Sequence, residues 1–207
     1  MRRLVLASNN VGKIREIAAI LASFDFEVVP QAFYHVSEAE EPHPTFIENA
    51  LAKARHASLH TGLPALSDDS GICVDALDGA PGVHSARFAG EPKSDARNNA
   101  HLLELLADRA DRRAHYYCVI VLLRHPYDPQ PLIAEGVWHG EILRAPRGAG
   151  GFGYDPLFFD PRLQRTGAEL ALEEKNRISH RGRALAALVA RLPEFFATRG
   201  RQHGAGA

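Results

Sequence analysis

Cysteine is almost missing from this 207-residue chain: only Cys73 and Cys118 occur, both among apolar neighbours and without the spacing of a metal-binding motif. That excludes a disulfide framework and predicts two buried free thiols in a reducing compartment. An excess of either charge is missing too, with 24 Lys and Arg against 25 Asp and Glu. Without a basic footprint, non-specific attachment to nucleic acid or to a membrane surface is not the expected task. No apolar run approaches the roughly 18 residues needed to span a bilayer. The run that follows "MRR" stops well short of the roughly 7–15 residues of a signal-peptide core. A soluble, cytoplasmic protein is the expectation. What the chain does have is 45% hydrophobic residues, enough for one large domain or two lobes that share a core.

Those residues are patterned. "RLVLAS" reads as a buried strand, and "GKIREIAAILASF" as a helix with Ile14, Ile17, Ile20 and Leu21 on one face. "EVVPQAF" reads as a second strand, followed by the acidic loop "SEAEEPHP". Thr45 and Glu48 form a capping box that opens a helix closed by Gly62. Residues 65–77, "ALSDDSGICVDAL", read as two strands around a turn at Ser70-Gly71. A helix is predicted near 94–109, then a hairpin of "HYYCVIVLLRH" with "LIAEGVWHGEIL". A glycine-rich loop, "RGAGGFGYDP", precedes "LFF", and Ser179 caps a last helix. Two strand–helix units followed by a hairpin predict an α/β fold, a mixed sheet flanked by helices. The tail from 199 to 207 is predicted to be disordered.

Five polar clusters interrupt this framework. The first, "SNNVGK" (Ser8, Asn9, Asn10, Val11, Gly12, Lys13), sits where a strand gives way to a helix. Unpaired N–H groups and the helix dipole favour an anion there, although an Asn cap with a surface lysine has the same spelling. It is not a Walker A loop, whose glycine spacer it lacks. The second is Asp68 and Asp69, two carboxylates in an apolar setting that is costly unless something offsets their desolvation. A divalent cation does so, leaving a carboxylate free to act as general base; an Asx-turn facing solvent is the plainer alternative. The acidic loop supplies Glu38, Glu40 and Glu41, which need be no more than a solvated surface. "GGFGYDP" couples glycine freedom to Phe152, Tyr154 and Asp155, an aromatic surface on which a base can stack. Lys175, His180 and Arg181 are cations and donors near the start of the last helix. Taken together, these are the parts of a Mg²⁺-dependent nucleotide site.

In this order the segments "LVLASNNVGK", "TFIENALAKA", "LSDDSGICVDALDGAPGVHSARFAG", "GGFGYDPLFF" and "EEKNRISHRGRAL" closely resemble the inosine triphosphate pyrophosphatase (HAM1-like) family. The resemblance spans almost the whole chain and leaves mainly the C-terminal tail. It implies Mg²⁺-dependent hydrolysis of deaminated purine nucleoside triphosphates (ITP, dITP and XTP) to monophosphate and pyrophosphate, which cleanses the nucleotide pool. It also implies an elongated fold of two lobes around a long mixed sheet within residues 1–198, and a homodimer. Ser8 through Lys13 match the family's triphosphate-binding start, and Lys53 a further lysine near the phosphates. Asp69 matches the general base and a metal ligand, with Ser70 beside it touching substrate. Phe152, Gly153, Tyr154 and Asp155 match the segment that stacks on the base. Lys175, His180 and Arg181 match the residues that read the purine edge. The acidic loop departs from the family, reading "EEPHP" before "TF" where "EETG" is usual. Glu40 is taken as the matching metal ligand, with Glu41 next to it. A Maf-like pyrophosphatase acting on other modified nucleotides is the rival enzyme, and a nucleotide sensor without turnover is the rival of another class.

Overall fold

The patterned apolar runs become one sheet. The computed structural model describes residues 2–22, 24 and 26–197. Among these, β1 (Arg2–Leu6), β2 (Phe26–Pro30), β3 (Ala65–Val74), β4 (Arg113–Leu123), β5 (Leu132–Ile142), β6 (Phe158–Asp160) and β7 (Arg165–Thr166) align in the order β2-β1-β3-β4-β5-β6-β7. β1 pairs parallel with β2 and β3, and all later pairings are antiparallel, so the sheet is mixed. The helices are α1 (Val11–Leu21), α2 (Phe46–Thr61), α3 (Asp95–Leu105), α4 (Leu172–Ile178) and α5 (His180–Ala197). No helix among the described residues is long and apolar enough to cross a membrane. The tail expected at 199–207 lies outside the described residues.

Period-two alternation on β4 sorts the core into two layers. Cys118, Ile120 and Leu122 pack with Ile17, Leu21, Leu185 and Leu188 of α1 and α5. Val119, Val121 and Leu123 pack on the opposite side with Ala50 and Ala54 of α2. Both central strands are thereby covered on both faces, which removes several large side chains from water at about 1.5–3 kcal/mol each. A further cluster, with Trp138, Phe158, Leu102 and Tyr116, fills the far end of the α5-side layer. Both thiols are free, as expected, with Cys118 buried and Cys73 partly so.

Three elements differ from the sequence reading. Residues 65–74 are a single strand, not two around a turn, because β4 pairs with it residue for residue. Gly71 marks a close approach instead: a Cβ there would lie 2.3 Å from the Gly82 carbonyl oxygen and 2.5 Å from Ser85 Oγ. The second strand ends at Pro30, and Gln31–Tyr34 turn into a 3₁₀ segment. Finally, Lys175 is not on the last helix. It belongs to α4, and the chain turns at Ser179, whose Oγ accepts from Gly182 N–H (3.1 Å) to cap α5. Only glycine fits at 182, where a Cβ would come within 1.9 Å of the Asn176 carbonyl oxygen. The Thr45 cap holds as expected: Thr45 Oγ1 accepts from Glu48 N–H (3.3 Å), and Gly62 ends α2 with φ +68°.

Candidate active site

Successive residues of a strand face opposite ways, and this separates Asp68 from Asp69. Asp68 follows the parity of Leu66 and faces α1 and α5, and Asp69 follows that of Ser67 and faces α2. They are neighbours in sequence with different surroundings.

Asp68 closes a buried ion network. Its Oδ2 lies 3.1 Å from Lys13 Nζ and 3.2 Å from Arg181 Nε. Arg181, only 3% exposed, also donates from Nη1 to Glu16 Oε2 (2.5 Å) and from Nη2 to Ser70 Oγ (2.9 Å). Burial pushes the Asp68 carboxyl up, but Lys13, Arg181 and Lys53 outweigh it and hold the group well below the ordinary carboxylate range. Asp68 is thus a fixed negative charge joining α1, β3 and α5.

Asp69 has the opposite balance. Burial pushes its pKa up, Lys53 and Lys13 oppose without cancelling, and Glu41 and Asp68 add to the rise. Its Oδ1 faces Lys53 Nζ at 3.4 Å and accepts from Ser70 N–H at 3.1 Å. Its Oδ2 is buried and has no hydrogen-bond partner among the described residues. Lys53, one α2 turn in from Asn49, also bonds Glu41. Burial lowers the Lys53 pKa, but Asp69, Asp68 and Glu41 raise it further, so it is firmly cationic. Glu41 has Arg87 Nη1 3.9 Å from its Oε2; burial raises its pKa and Lys53 more than reverses that.

Lys13, Glu41, Lys53, Asp69, Ser70, Arg87 and Arg181 line one cleft, whereas Asp68 and Glu16 do not reach its wall. One end carries Ser8, Asn9, Asn10 and Lys13, where Ser8 Oγ accepts from Asn10 N–H (3.2 Å) and Asn10 Oδ1 caps α1 by accepting from Lys13 N–H (3.1 Å). Its other end is Phe152, Gly153, Tyr154, Asp155, Lys175 and His180, and Arg181 bridges to the first, sharing Asp68 Oδ2 with Lys13. Asp155 Oδ2 ties this end together, accepting from Lys175 Nζ (2.6 Å) and Phe152 N–H (2.8 Å). Lys175 Nζ also sits 4.4 Å from the Phe152 ring centroid. Phe152 remains 39% exposed, so its ring is available to a partner, whereas Tyr154 is buried and donates from its hydroxyl to the Ser85 carbonyl (2.8 Å). The two ends meet at Gly12, where a Cβ would lie 3.4 Å from Phe152 Cε1. His180 stacks on Tyr116 with ring centroids 4.6 Å apart and planes 8° from parallel. Burial, then Arg181 and Lys175, push its pKa well below the usual value, so the imidazole is neutral, and its buried Nδ1 has no partner among the described residues.

Every residue expected at the site lines this cleft except three. Val11 and Gly12 act through the start of α1. Glu40 is exposed and points elsewhere, and Glu41 is the carboxylate brought opposite Asp69. Lys53 and Arg87 hold Glu41 inward from a loop whose register the sequence left open. Glu16 and Arg87 were missed. An acid on the apolar face of α1, one residue before Ile17, was the available signal for Glu16; nothing in the sequence singled out Arg87.

The fold and cleft define a class: a mixed-sheet α/β protein with a lysine- and carboxylate-lined groove that ends in an aromatic wall. The Ham1 family model matches residues 4–191, and the chain belongs to that family. It is 66% identical over 194 residues to the dITP/XTP pyrophosphatase of Nitrosomonas europaea, spanning 94% of this chain and 96% of that protein. The dITP/XTP pyrophosphatase of Aromatoleum aromaticum is 65% identical over 190 residues, with 92% and 96% covered. Among solved structures, a HAM1 protein from Coxiella burnetii superposes with a TM-score of 0.89 at 51% identity, covering 94% of this chain and 100% of that one. The Staphylococcus aureus Ham1 protein gives 0.85 at 40% identity, with 94% and 100% covered.

Proposed function

We propose that this protein hydrolyses deaminated purine nucleoside triphosphates, ITP, dITP and XTP, to the monophosphate and pyrophosphate. The observation that carries this reading is the buried, unpartnered Oδ2 of Asp69 in a groove flanked by Lys13, Lys53 and Glu41. The names of the relatives supply the substrate class. Lys13 and Lys53 neutralise the polyphosphate, and Phe152 stacks on the base. Asp69, with its raised pKa, accepts a proton from the attacking water as that oxygen bonds to the α-phosphorus. The bond from the α-phosphorus to the bridging oxygen breaks, and pyrophosphate leaves with that oxygen.

A Mg²⁺ ion belongs to the same reading, and the donors fit it. Asp69 and Glu41 are hard oxygen ligands, and one Asp69 oxygen lacks a partner. No cluster of three His, Cys, Asp or Glu suited to a metal occurs among the described residues. Two carboxylates completed by substrate phosphate and water is a Mg²⁺ pattern, not that of a protein-caged ion. When bound, the ion would supply further charge neutralisation on the phosphates. Glu41→Ala is expected to raise the Mg²⁺ concentration for half-maximal activity about tenfold or more, and Glu40→Ala to leave it unchanged. The reverse pattern in a Mg²⁺ titration would return the role to Glu40.

For the base, the polar groups nearest the Phe152 ring are Lys175, whose Nζ lies 4.4 Å from its centroid, and the neutral His180 that lines the same groove. A donor facing a 6-oxo acceptor is left unpaired opposite the 6-amino group of adenine, a costly mismatch. Cytoplasmic residence, a homodimeric assembly and a single domain over residues 1–198 are part of this reading and rest on the family resemblance. Pyrophosphate release with ITP, XTP, GTP, ATP and dUTP tests it directly. Strong preference for ITP and XTP is expected; preference for dUTP or another nucleotide moves the substrate, and tight ITP binding without release makes the protein a sensor.

A further inference from the structure

We propose that Asp95 and Asn99 of α3 are positioning residues that clamp the backbone of Gly153 and thereby set the Phe152 ring for base selection. This rests on the functional reading above. Residues four apart on a helix share a face, and here that face grips a single residue of the aromatic loop. Gly153 N–H donates to Asp95 Oδ2 at 2.7 Å, and Asn99 Nδ2 donates to the Gly153 carbonyl at 2.8 Å. Asn99 Nδ2 also donates to the Asp95 carbonyl (2.8 Å), which fixes its own rotamer.

The loop needs such a hold. Gly151 and Gly153 both have positive φ, +73° and +62°, and residues 144–152 are largely exposed. Glycines at both positions leave the backbone many alternatives, so the native course must be fixed by outside contacts. Asp155 holds Phe152 from one side through its N–H. The α3 pair holds it from the other.

The preceding residue on α3 faces another wall of the groove. Asn98, buried, donates from Nδ2 to the carbonyls of Ser85 (3.3 Å) and Ala86 (3.1 Å), and its Oδ1 accepts from Ala89 N–H (2.8 Å). That segment carries Arg87, which faces Glu41. Two adjacent asparagines therefore join one helix to the aromatic wall and to the wall beside the carboxylates. Through α3 the course of the aromatic loop is tied to the segment that carries Arg87.

The test compares ITP with inorganic tripolyphosphate, which has the phosphates and no base. Asp95→Ala and Asn99→Ala are each expected to raise KM for ITP about tenfold with kcat within about twofold, and to narrow the preference for ITP over ATP. The inhibition constant for tripolyphosphate should not rise, since Asp95 also lines the groove and losing its charge there favours a polyanion. Asp95→Asn keeps an acceptor oxygen and should stay close to the wild type. Unchanged ITP kinetics in both alanine variants overturn the clamp. So does an equal rise in the ITP and tripolyphosphate constants, which means a loosened fold. If the wild type binds ITP without turning it over, the hydrolytic reading fails alone, and the same ratio of ITP to tripolyphosphate affinity, measured by calorimetry, still decides the clamp. If the wild type binds ITP no better than tripolyphosphate, both ideas fall.

Discussion

Asp69→Asn is expected to lower kcat for ITP about 10³-fold or more while the thermal midpoint stays near that of the wild type. The size follows from two roles placed on one carboxylate, proton acceptor and metal ligand, each of which an amide performs poorly. Folding should survive because asparagine is nearly the same shape and still accepts from Ser70 N–H. The pH profile adds a second check. Burial raises the Asp69 pKa above its ordinary 3.8, and the base works only when ionised. An acidic limb of kcat/KM that belongs to Asp69 should disappear from whatever residual rate the variant retains. Near-normal turnover in Asp69→Asn would remove Asp69 from the chemistry.

Arg181→Ala is expected to act chiefly on stability. The guanidinium is 3% exposed and serves Glu16, Asp68 and Ser70 at once. Removing it leaves two buried carboxylates short of a partner, a change that costs about 3–5 kcal/mol. For a chain of this length that lowers Tm by about 6–20 °C. The deficit should depend on pH. In the folded wild type the Asp68 pKa is depressed below its unfolded value near 3.8, so its contribution is present above that pH and lost as pH falls through the depressed value. In the variant burial is less well opposed and the depression shrinks. The gap in Tm between the two proteins should be full at neutral pH and narrow as pH drops below about 4. Differential scanning calorimetry from pH 7 to pH 3 measures it. A gap that is small, or constant with pH, would mean that the network contributes little. Arg181 also lines the groove, and Arg181→Lys separates a loss of stability from a change in base selection by retaining charge without the fork of donors.

Much of the framework was legible locally. The capped start of α2, the hairpin of β4 with β5 and the α1 face of Ile14, Ile17 and Ile20 depend on periodicity and on side chains reaching a few residues along the chain. The same is true of Ser179 as a cap. Where the reading failed, a distant contact outweighed local composition. Ser70-Gly71 spells a turn, yet β4 pairs straight through it and the 82–85 segment requires a glycine there. Lys175 and Arg181 look like one basic helix start, yet the chain breaks at Ser179, so that Lys175 bonds Asp155 and Arg181 bonds Asp68 while both face Glu16.

The sequence by itself determined the α/β class, the family and most of the groups that face the groove, because motifs and periodicities are properties of short stretches. Tertiary structure alone decided the division of labour among them. Pairing of β3 turned Asp68 towards Lys13 and Arg181 and Asp69 towards Lys53 and Glu41, and the balance of burial against nearby cations then made one a fixed anion and raised the pKa of the other. Tertiary structure also brought Glu41, not Glu40, to the groove wall and set α3 behind the aromatic loop. A carboxylate's pKa and a loop's course depend on groups that are far apart in the chain and close in space, and no local pattern encodes them.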